Sequence, residues 1–457
     1  MTAKWKTALA LAAAMLLATL CWLKFFTPDL VRAGANYAAK IVCTNVLIAG
    51  RDPAEVLKVD VQAPGHPLMK FMQIDLNRDK GLVRANLFGL FGRGLAVNRP
   101  GTGCAAVPDG DIASAKKYQF APEKIATHAD DRLWPEGTQA ELNAQIEKII
   151  TDDRLAGPGM RAIAVIHQSK LVAQRYASGF DEKTPLIGWS MTKSVNAILV
   201  GMQIKAGNLK LEQAGFWPAA TPADGQEKIR LADLLAMRSG LQFNEDYGSV
   251  SDVTRMLYLT PDMASYVHGK PLEHPVGTYW NYSTGTSVFL SRLWQNVAGP
   301  DALSYPRGHL FAPLGMSSAF IEADARGTLV GGSYMYATAQ DWARIGQFLM
   351  QNGSWNGRQL LPDDYVSMMH TVVPESDGQY GQGQVWLQGP DGDNPQGKQP
   401  GASFHLPADT FWLEGHDGQT VAIIPSLQLV VVRLGLTPHK LDYKPQALLV
   451  EILKSLS

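Results

Sequence analysis

A serine three residues ahead of a lysine, in Gly188-Trp189-Ser190-Met191-Thr192-Lys193, can supply a nucleophile and its base if both lie on a helix. Residues three apart share a helix face, so the Lys193 amine reaches the Ser190 hydroxyl. A serine hydroxyl is a weak nucleophile, and a lysine activates it once burial disfavours the ammonium form. The helix N-terminus adds unpaired N–H groups where negative charge develops. The pattern by itself is weak. Ser114-Ala115-Lys116-Lys117 matches it too, in a polar stretch with no buried helix behind it, and a serine at a helix start is commonly a cap.

Two later segments strengthen the assignment. Pro275-Val276-Gly277-Thr278-Tyr279-Trp280-Asn281-Tyr282-Ser283-Thr284 is a turn leading into a helix, and its Tyr282 can relay protons if a lysine ammonium lowers its pKa. Tyr279 also begins a Tyr-x-Asn pattern, but the spacing from Gly277 favours Tyr282. Further on, Gly415-His416-Asp417-Gly418-Gln419 enters a strand, and glycines there let backbone N–H groups approach a bound carbonyl.

Taken in order, Ser190-x-x-Lys193, Tyr282-Ser283-Thr284 and His416-Asp417-Gly418 resemble the three motifs of the class C β-lactamase and penicillin-binding-protein superfamily. Asn244-Glu245-Asp246-Tyr247 and Trp280-Asn281-Tyr282-Ser283-Thr284 are most similar to its non-lactamase branch, which includes 6-aminohexanoate-dimer hydrolase and related esterases. The resemblance covers about residues 135–457. It implies that Ser190 forms an acyl-enzyme and that Lys193 and Tyr282 share the general-base and general-acid roles. It further implies an oxyanion hole from the backbone N–H groups of Ser190 and Gln419, and substrate contacts from Tyr247, His416, Asp417 and Gly418.

Two departures bear on the substrate. Thr284 stands where class C enzymes have Asn, and His416-Asp417-Gly418 where they have Lys-Thr-Gly. A histidine is only partly charged near neutral pH, and Asp417 adds a negative charge beside it. The expected substrate is therefore an amide or ester rather than a carboxylate-bearing β-lactam. A peptidoglycan D,D-peptidase, a β-lactamase and a non-catalytic binding or sensor module of the same fold are the alternatives.

The elements that must position these groups follow from hydrophobic periodicity. Helices are expected over 139–155, 190–206, 231–238, 287–298, 339–352 and 446–456, and the apolar residues of 190–206 run round most of its circumference, as in a central helix. A hairpin is expected over 161–176, turning at Gln168-Ser169, with further strands over 383–387, 410–413, 420–425 and 427–434. Strands bracketing a helical middle predict an α+β, β-lactamase/transpeptidase-like fold, an antiparallel sheet flanked by helices plus a mostly helical subdomain.

Composition sets the outer bounds. In 457 residues, 41 Lys plus Arg balance 42 Asp plus Glu, which leaves no basic excess for neutralising nucleic-acid phosphates. No Gly-x-Ser-x-Gly elbow and no His-Glu-x-x-His helix occurs, which argues against an α/β-hydrolase and a zinc hydrolase. No cofactor or metal is expected, and the expected partner is a small amide, ester or peptide substrate.

Residues 1–34 read as a membrane anchor or signal segment, with Thr7–Leu23 uncharged and Lys4 and Lys6 ahead of it. That places the chain in the bacterial inner membrane with its catalytic domain in the periplasm, or exported if the segment is cleaved. Residues 35–134 read as a small, mostly irregular β-containing region of unknown role, and 135–457 as the hydrolase domain. Cys43 and Cys104 would form a disulfide in an oxidising compartment, two buried thiols being the alternative.

Overall fold

The computed structural model describes residues 3–63, 65–125, 129–217, 225–390 and 404–456. The chain forms two compact units. One comprises Met1–Arg99, Cys104–Lys117 and Asp246–Pro261, and the other Pro100–Gly103, Tyr118–Glu245 and Asp262–Ser457.

In the first unit a sheet of four strands in sequential order (Met72–Asn77, Leu82–Leu87, Phe91–Arg99, Gly103–Ala106) packs against the helix Asp29–Leu47. Local sequence hides this helix. Ile41, Val42, Thr44 and Val46 are β-branched and disfavour a helix, but all four are buried, and tertiary packing outweighs propensity. Cys43 and Cys104 form a disulfide that ties the helix to the last strand, closing the expected loop.

The expected N-terminal membrane helix is not supported. A helix runs over Ala3–Phe25, yet among the described residues no helix is long and apolar enough to cross a membrane. Lys4, Lys6 and Lys24 fall within its span. The charge-free run Thr7–Leu23 extends only about 25 Å at 1.5 Å per residue, short of a hydrocarbon core of roughly 30 Å.

The second unit is built on five antiparallel strands: β1 (Met160–His167), β2 (Lys170–Tyr176), β3 (Phe411–Gly415), β4 (Gln419–Ile424) and β5 (Leu429–Gly435), in spatial order β3-β4-β5-β1-β2. N- and C-terminal segments thus share one sheet, as the α+β expectation requires. β1 and β2 turn tightly at Gln168 and Ser169, whose φ values of 50° and 61° suit the right-handed twist of a two-residue hairpin. Every residue of β4 and β5 is buried, because helices cover both faces. Ile146, Ile150, Leu448, Leu449 and Ile452 fill one face from the helices Ala144–Ile150 and Pro445–Leu456, and Ala339–Met350 packs on the other.

Two expected elements differ. The helix foreseen over 139–155 is split, since Asn143 caps a helix at Ala144 and Asp152 caps a second one, Asp153–Ala156. The strand foreseen over 383–387 is reduced to single bridges, in which Trp386 pairs with Tyr380 and Trp412.

Candidate active site

Ser190 sits in a single 3₁₀ turn, Trp189–Met191, that runs directly into helix α1 (Thr192–Lys205). The turn is held from both sides. A Cβ on Gly188 would lie 2.1 Å from the ring of the buried Trp342, so only glycine fits, and Trp189 adopts φ 47°, a left-handed conformation that side chains rarely take. This backbone strain immediately precedes the candidate nucleophile, as is common at functional sites.

Lys193 is 1% exposed, and its Nζ donates to Ser190 Oγ at 3.0 Å, to Thr284 Oγ1 at 2.8 Å and to the Gly332 carbonyl at 2.9 Å. Burial lowers its pKa to about 8, with Glu245 pulling the other way. Thr284 opens helix α2 (Thr284–Ala298), whose cap is Ser283. The Glu245 carboxylate accepts from the Thr284 backbone N–H at 2.8 Å and from its hydroxyl.

Helices α1 and α2 are locked together by Asn196. Its Nδ2 donates to Ser287 O, and its Oδ1 accepts from Ser291 Oγ and Trp294 Nε1, each at 2.8 Å. The Ser190–Lys193 pair and Thr284 are thereby carried on one braced pair of helices.

Tyr282 lies beside Lys193, with Nζ 4.7 Å from its ring centroid. Its ring also meets Trp386 at 5.3 Å and Tyr380 at 5.8 Å, forming an aromatic wall next to the serine. The sequence reading makes a proton relay at Tyr282 conditional on a lysine ammonium lowering its pKa, and the surroundings of the phenol act the other way. Burial, then the charge of Glu245, push the phenol above its ordinary value, and the Ser190 hydroxyl only partly offsets them. Tyr279, the alternative, is 48% exposed and stacks on His274.

The edge strand β3 brings the last motif to the same place. A Cβ on Gly415 would lie 2.1 Å from the Gly188 carbonyl, so the turn 415–419 rests on the backbone just before Ser190. The His416 ring packs edge-on to Trp189 at 5.9 Å, with Nε2 3.5 Å from Asp417 Oδ1. Asp417 and Gly418 adopt φ 58° and 82° in this turn. Gln419 lies on β4, one strand further in, and its amide braces the turn: Nε2 donates to His416 O, Asp417 O and Gly435 O, while Oε1 accepts from Gly435 N. The buried Arg433 adds bonds to Gly418 O and Thr437 Oγ1. Together Glu414, His416, Asp417, Gly418 and His439 border a cavity of about 180 Å³.

The structure therefore brings together Ser190, Lys193, Tyr282 and the 415–419 turn in one unit. Tyr247 falls in Asp246–Pro261, which belongs to the other unit. Two carboxyls escape the motif reading. Glu245 is reached only through a contact 39 residues away in sequence, although it stands in a segment singled out for its resemblance. Glu414 has a buried Oε1 without a hydrogen-bond partner, and burial raises its pKa well above the usual carboxyl range. No pattern in the sequence marks it.

Residues 150–450 match the beta-lactamase family model, about two thirds of the chain. The chain belongs to the beta-lactamase family, within the serine β-lactamase and penicillin-binding-protein superfamily, on its esterase and hydrolase branch. It is 22% identical over 366 residues to 6-aminohexanoate-dimer hydrolase of Paenarthrobacter ureafaciens, covering 71% of this chain and 86% of that protein. A solved Bacillus anthracis protein assigned as a 6-aminohexanoate-dimer hydrolase superimposes with a TM-score of 0.57 at 18% identity, covering 73% of this chain and 89% of that one. A family VIII carboxylesterase gives a TM-score of 0.52 at 14% identity, covering 68% and 96%.

Proposed function

We propose that this chain is a serine hydrolase that cleaves an amide or ester bond through an acyl-enzyme on Ser190. The observation that carries the reading is Lys193, a buried lysine with its amine 3.0 Å from Ser190 Oγ and its pKa lowered to about 8. A fraction of the enzyme near neutral pH then holds a neutral amine against the hydroxyl.

In this mechanism Lys193 takes the Ser190 proton as Oγ attacks the substrate carbonyl. N–H groups of Ser190 and of the 415–419 turn stabilise the oxyanion. Gln419 was the expected second donor. Gly415, on the edge strand against Gly188, favours a donor from the outer side of that turn. Tyr282 is a protonated phenol at neutral pH, so its first task is to protonate the leaving group, after which Lys193 returns the proton to it. Deacylation reverses the sequence, with water as the nucleophile.

The aromatic wall of Tyr282, Tyr380 and Trp386 suits an apolar group next to the scissile bond. The relatives' names, a dimer hydrolase of an amide and a carboxylesterase, support the same bond classes. His416 beside Asp417 supplies no fixed cation, which disfavours carboxylate-bearing β-lactams and D,D-peptides. The Cys43–Cys104 disulfide supports an exported, oxidising location.

The test is side-by-side turnover of nitrocefin, short p-nitrophenyl esters and a linear amide oligomer, with fluorophosphonate labelling of wild type, Ser190→Ala and Ser114→Ala. Ester or amide turnover with labelling lost only in Ser190→Ala supports the proposal. Rapid nitrocefin turnover moves the reading to a β-lactamase. Labelling that survives Ser190→Ala, or no turnover at all, favours another nucleophile or a binding module.

A further inference from the structure

We infer that Glu245 is a positioning residue of this active site, acting through Thr284 to aim the Lys193 lone pair at Ser190. The inference rests on the proposed role of Ser190 and Lys193 and deepens it.

The available hydrogens decide the geometry at Nζ. A threonine hydroxyl has one hydrogen to give, and a carboxylate has only acceptor sites. The Thr284 hydroxyl donates to Glu245 Oε1, and Glu245 Oε2 takes the Thr284 backbone N–H, so both carboxylate oxygens are anchored on the same residue. With its hydrogen committed, Thr284 Oγ1 can only accept from Lys193. The Gly332 carbonyl is likewise only an acceptor.

Two of the four tetrahedral directions at Nζ are therefore tied to obligatory acceptors, and the carbon stem occupies a third. The remaining direction faces Ser190 Oγ. It carries a proton in the ammonium form and the lone pair in the amine. When neutral Lys193 is in place, Ser190 is the group its lone pair meets. As the bond from Oγ to the acyl carbon forms, the O–H bond breaks and the proton moves to that lone pair, which restores the ammonium with all three N–H groups satisfied.

Without the carboxylate, the Thr284 hydroxyl is free to turn its hydrogen toward the amine and compete with Ser190 for the lone pair. Charge acts alongside geometry. Glu245 is the charged group acting on Lys193, with Tyr282 lying under it as a neutral phenol, and Glu245 followed by Glu414 acts on Tyr282 and Tyr380. Removing the Glu245 charge destabilises the ammonium and lowers the Lys193 pKa further. The helix α2 N-terminus, where Glu245 accepts the first N–H, favours the ionised carboxylate.

The experiment measures the rate of Ser190 labelling by a fluorophosphonate between pH 6 and 10. Here Oγ displaces fluoride from phosphorus and the Oγ proton passes to Lys193. The proteins are wild type, Glu245→Gln, Thr284→Ser and Thr284→Val, with Ser190→Ala as the reference. Glu245→Gln is expected to move the midpoint of the profile down by roughly one pH unit and to lower the plateau roughly tenfold to a hundredfold. Thr284→Ser, which retains the hydroxyl, is expected to recover most of the plateau that Thr284→Val loses.

A Glu245→Gln profile reduced in height with its midpoint unmoved overturns the inference, since a merely structural role gives that result. Equal plateaus in Thr284→Ser and Thr284→Val overturn it as well, and this pair decides the matter if Glu245→Gln does not fold. Labelling that persists in Ser190→Ala overturns the underlying reading of the nucleophile and the inference with it.

Discussion

Lys193 lies over the ring of Tyr282, Nζ 4.7 Å from the centroid, and directs its three N–H groups to Ser190, Thr284 and Gly332. The negative face of the ring favours an ammonium above it, whereas burial disfavours one. Burial outweighs the Glu245 charge and leaves the lysine pKa lowered to about 8, while burial together with that charge raises the phenol. The two groups thus hold opposite protonation tendencies, one poised to accept a proton and the other to give one.

This fixes the pH dependence of acylation. In the proposed mechanism the neutral amine is the active form, so labelling should rise about tenfold per pH unit below pH 8 and level off above it. The measurement is the observed labelling rate against pH in wild type. A profile already flat at pH 6.5 would mean that Lys193 is not the group that titrates.

The division of labour separates Tyr282 from its neighbour. Tyr282→Phe should lower turnover of an amide by about 10²–10⁴-fold, because an amine leaves only when protonated. Fluorophosphonate labelling should change far less, because fluoride departs without a proton. Tyr279→Phe, altering an exposed ring stacked on His274, should leave both rates near wild type. If Tyr279→Phe is the damaging substitution, the relay has been placed on the wrong tyrosine.

Much of this arrangement is legible in sequence where it depends on neighbours along the chain. The Ser190–Lys193 spacing, the hairpin turn at Gln168-Ser169 and the strands around 415–435 are local patterns, and the structure reproduces those elements. The Glu245–Thr284 bond spans 39 residues and exists only once α2 is docked. The helix Asp29–Leu47 is likewise decided by burial of its β-branched residues. The sign of the Tyr282 shift was unreadable for the same reason. Proximity to a lysine can be guessed from motifs, but the burial that outweighs it is completed by residues of other segments, Ala236, Met237, Val373 and Tyr380 among them.

Substrate charge should be read by the turn at His416 and Asp417. Asp417 stands 3.5 Å from the His416 ring and its side chain is 14% exposed, so an anionic substrate group near His416 meets a partly buried carboxylate as well. Asp417→Asn should lower KM for an ester carrying a free carboxylate by about fivefold, as expected for removing one charge of roughly 1 kcal/mol, while KM for a neutral ester stays unchanged. Equal effects on the two esters would assign Asp417 to shaping the turn rather than to charge selection.

The helix pair that carries Lys193 and Thr284 is bridged by one buried amide. Asn196 satisfies the Ser287 carbonyl, the Ser291 hydroxyl and the Trp294 indole N–H at once, and no water reaches a side chain with 0% exposure. Asn196→Ala removes all three bonds and leaves their partners buried, at about 1–3 kcal/mol for each unsatisfied group. The groups share one cavity, so their costs overlap, and a total loss of roughly 3 kcal/mol is expected. Asn208→Ala, at an exposed residue bonded only to Gln203, serves as the control and should fall within about 0.5 kcal/mol of wild type. Urea denaturation of the three proteins gives the comparison. If Asn196→Ala matches Asn208→Ala, the register of α1 against α2 is held by their apolar contacts. Loss of stability accompanied by slower Ser190 labelling would show that the same amide holds Lys193 in reach of Thr284.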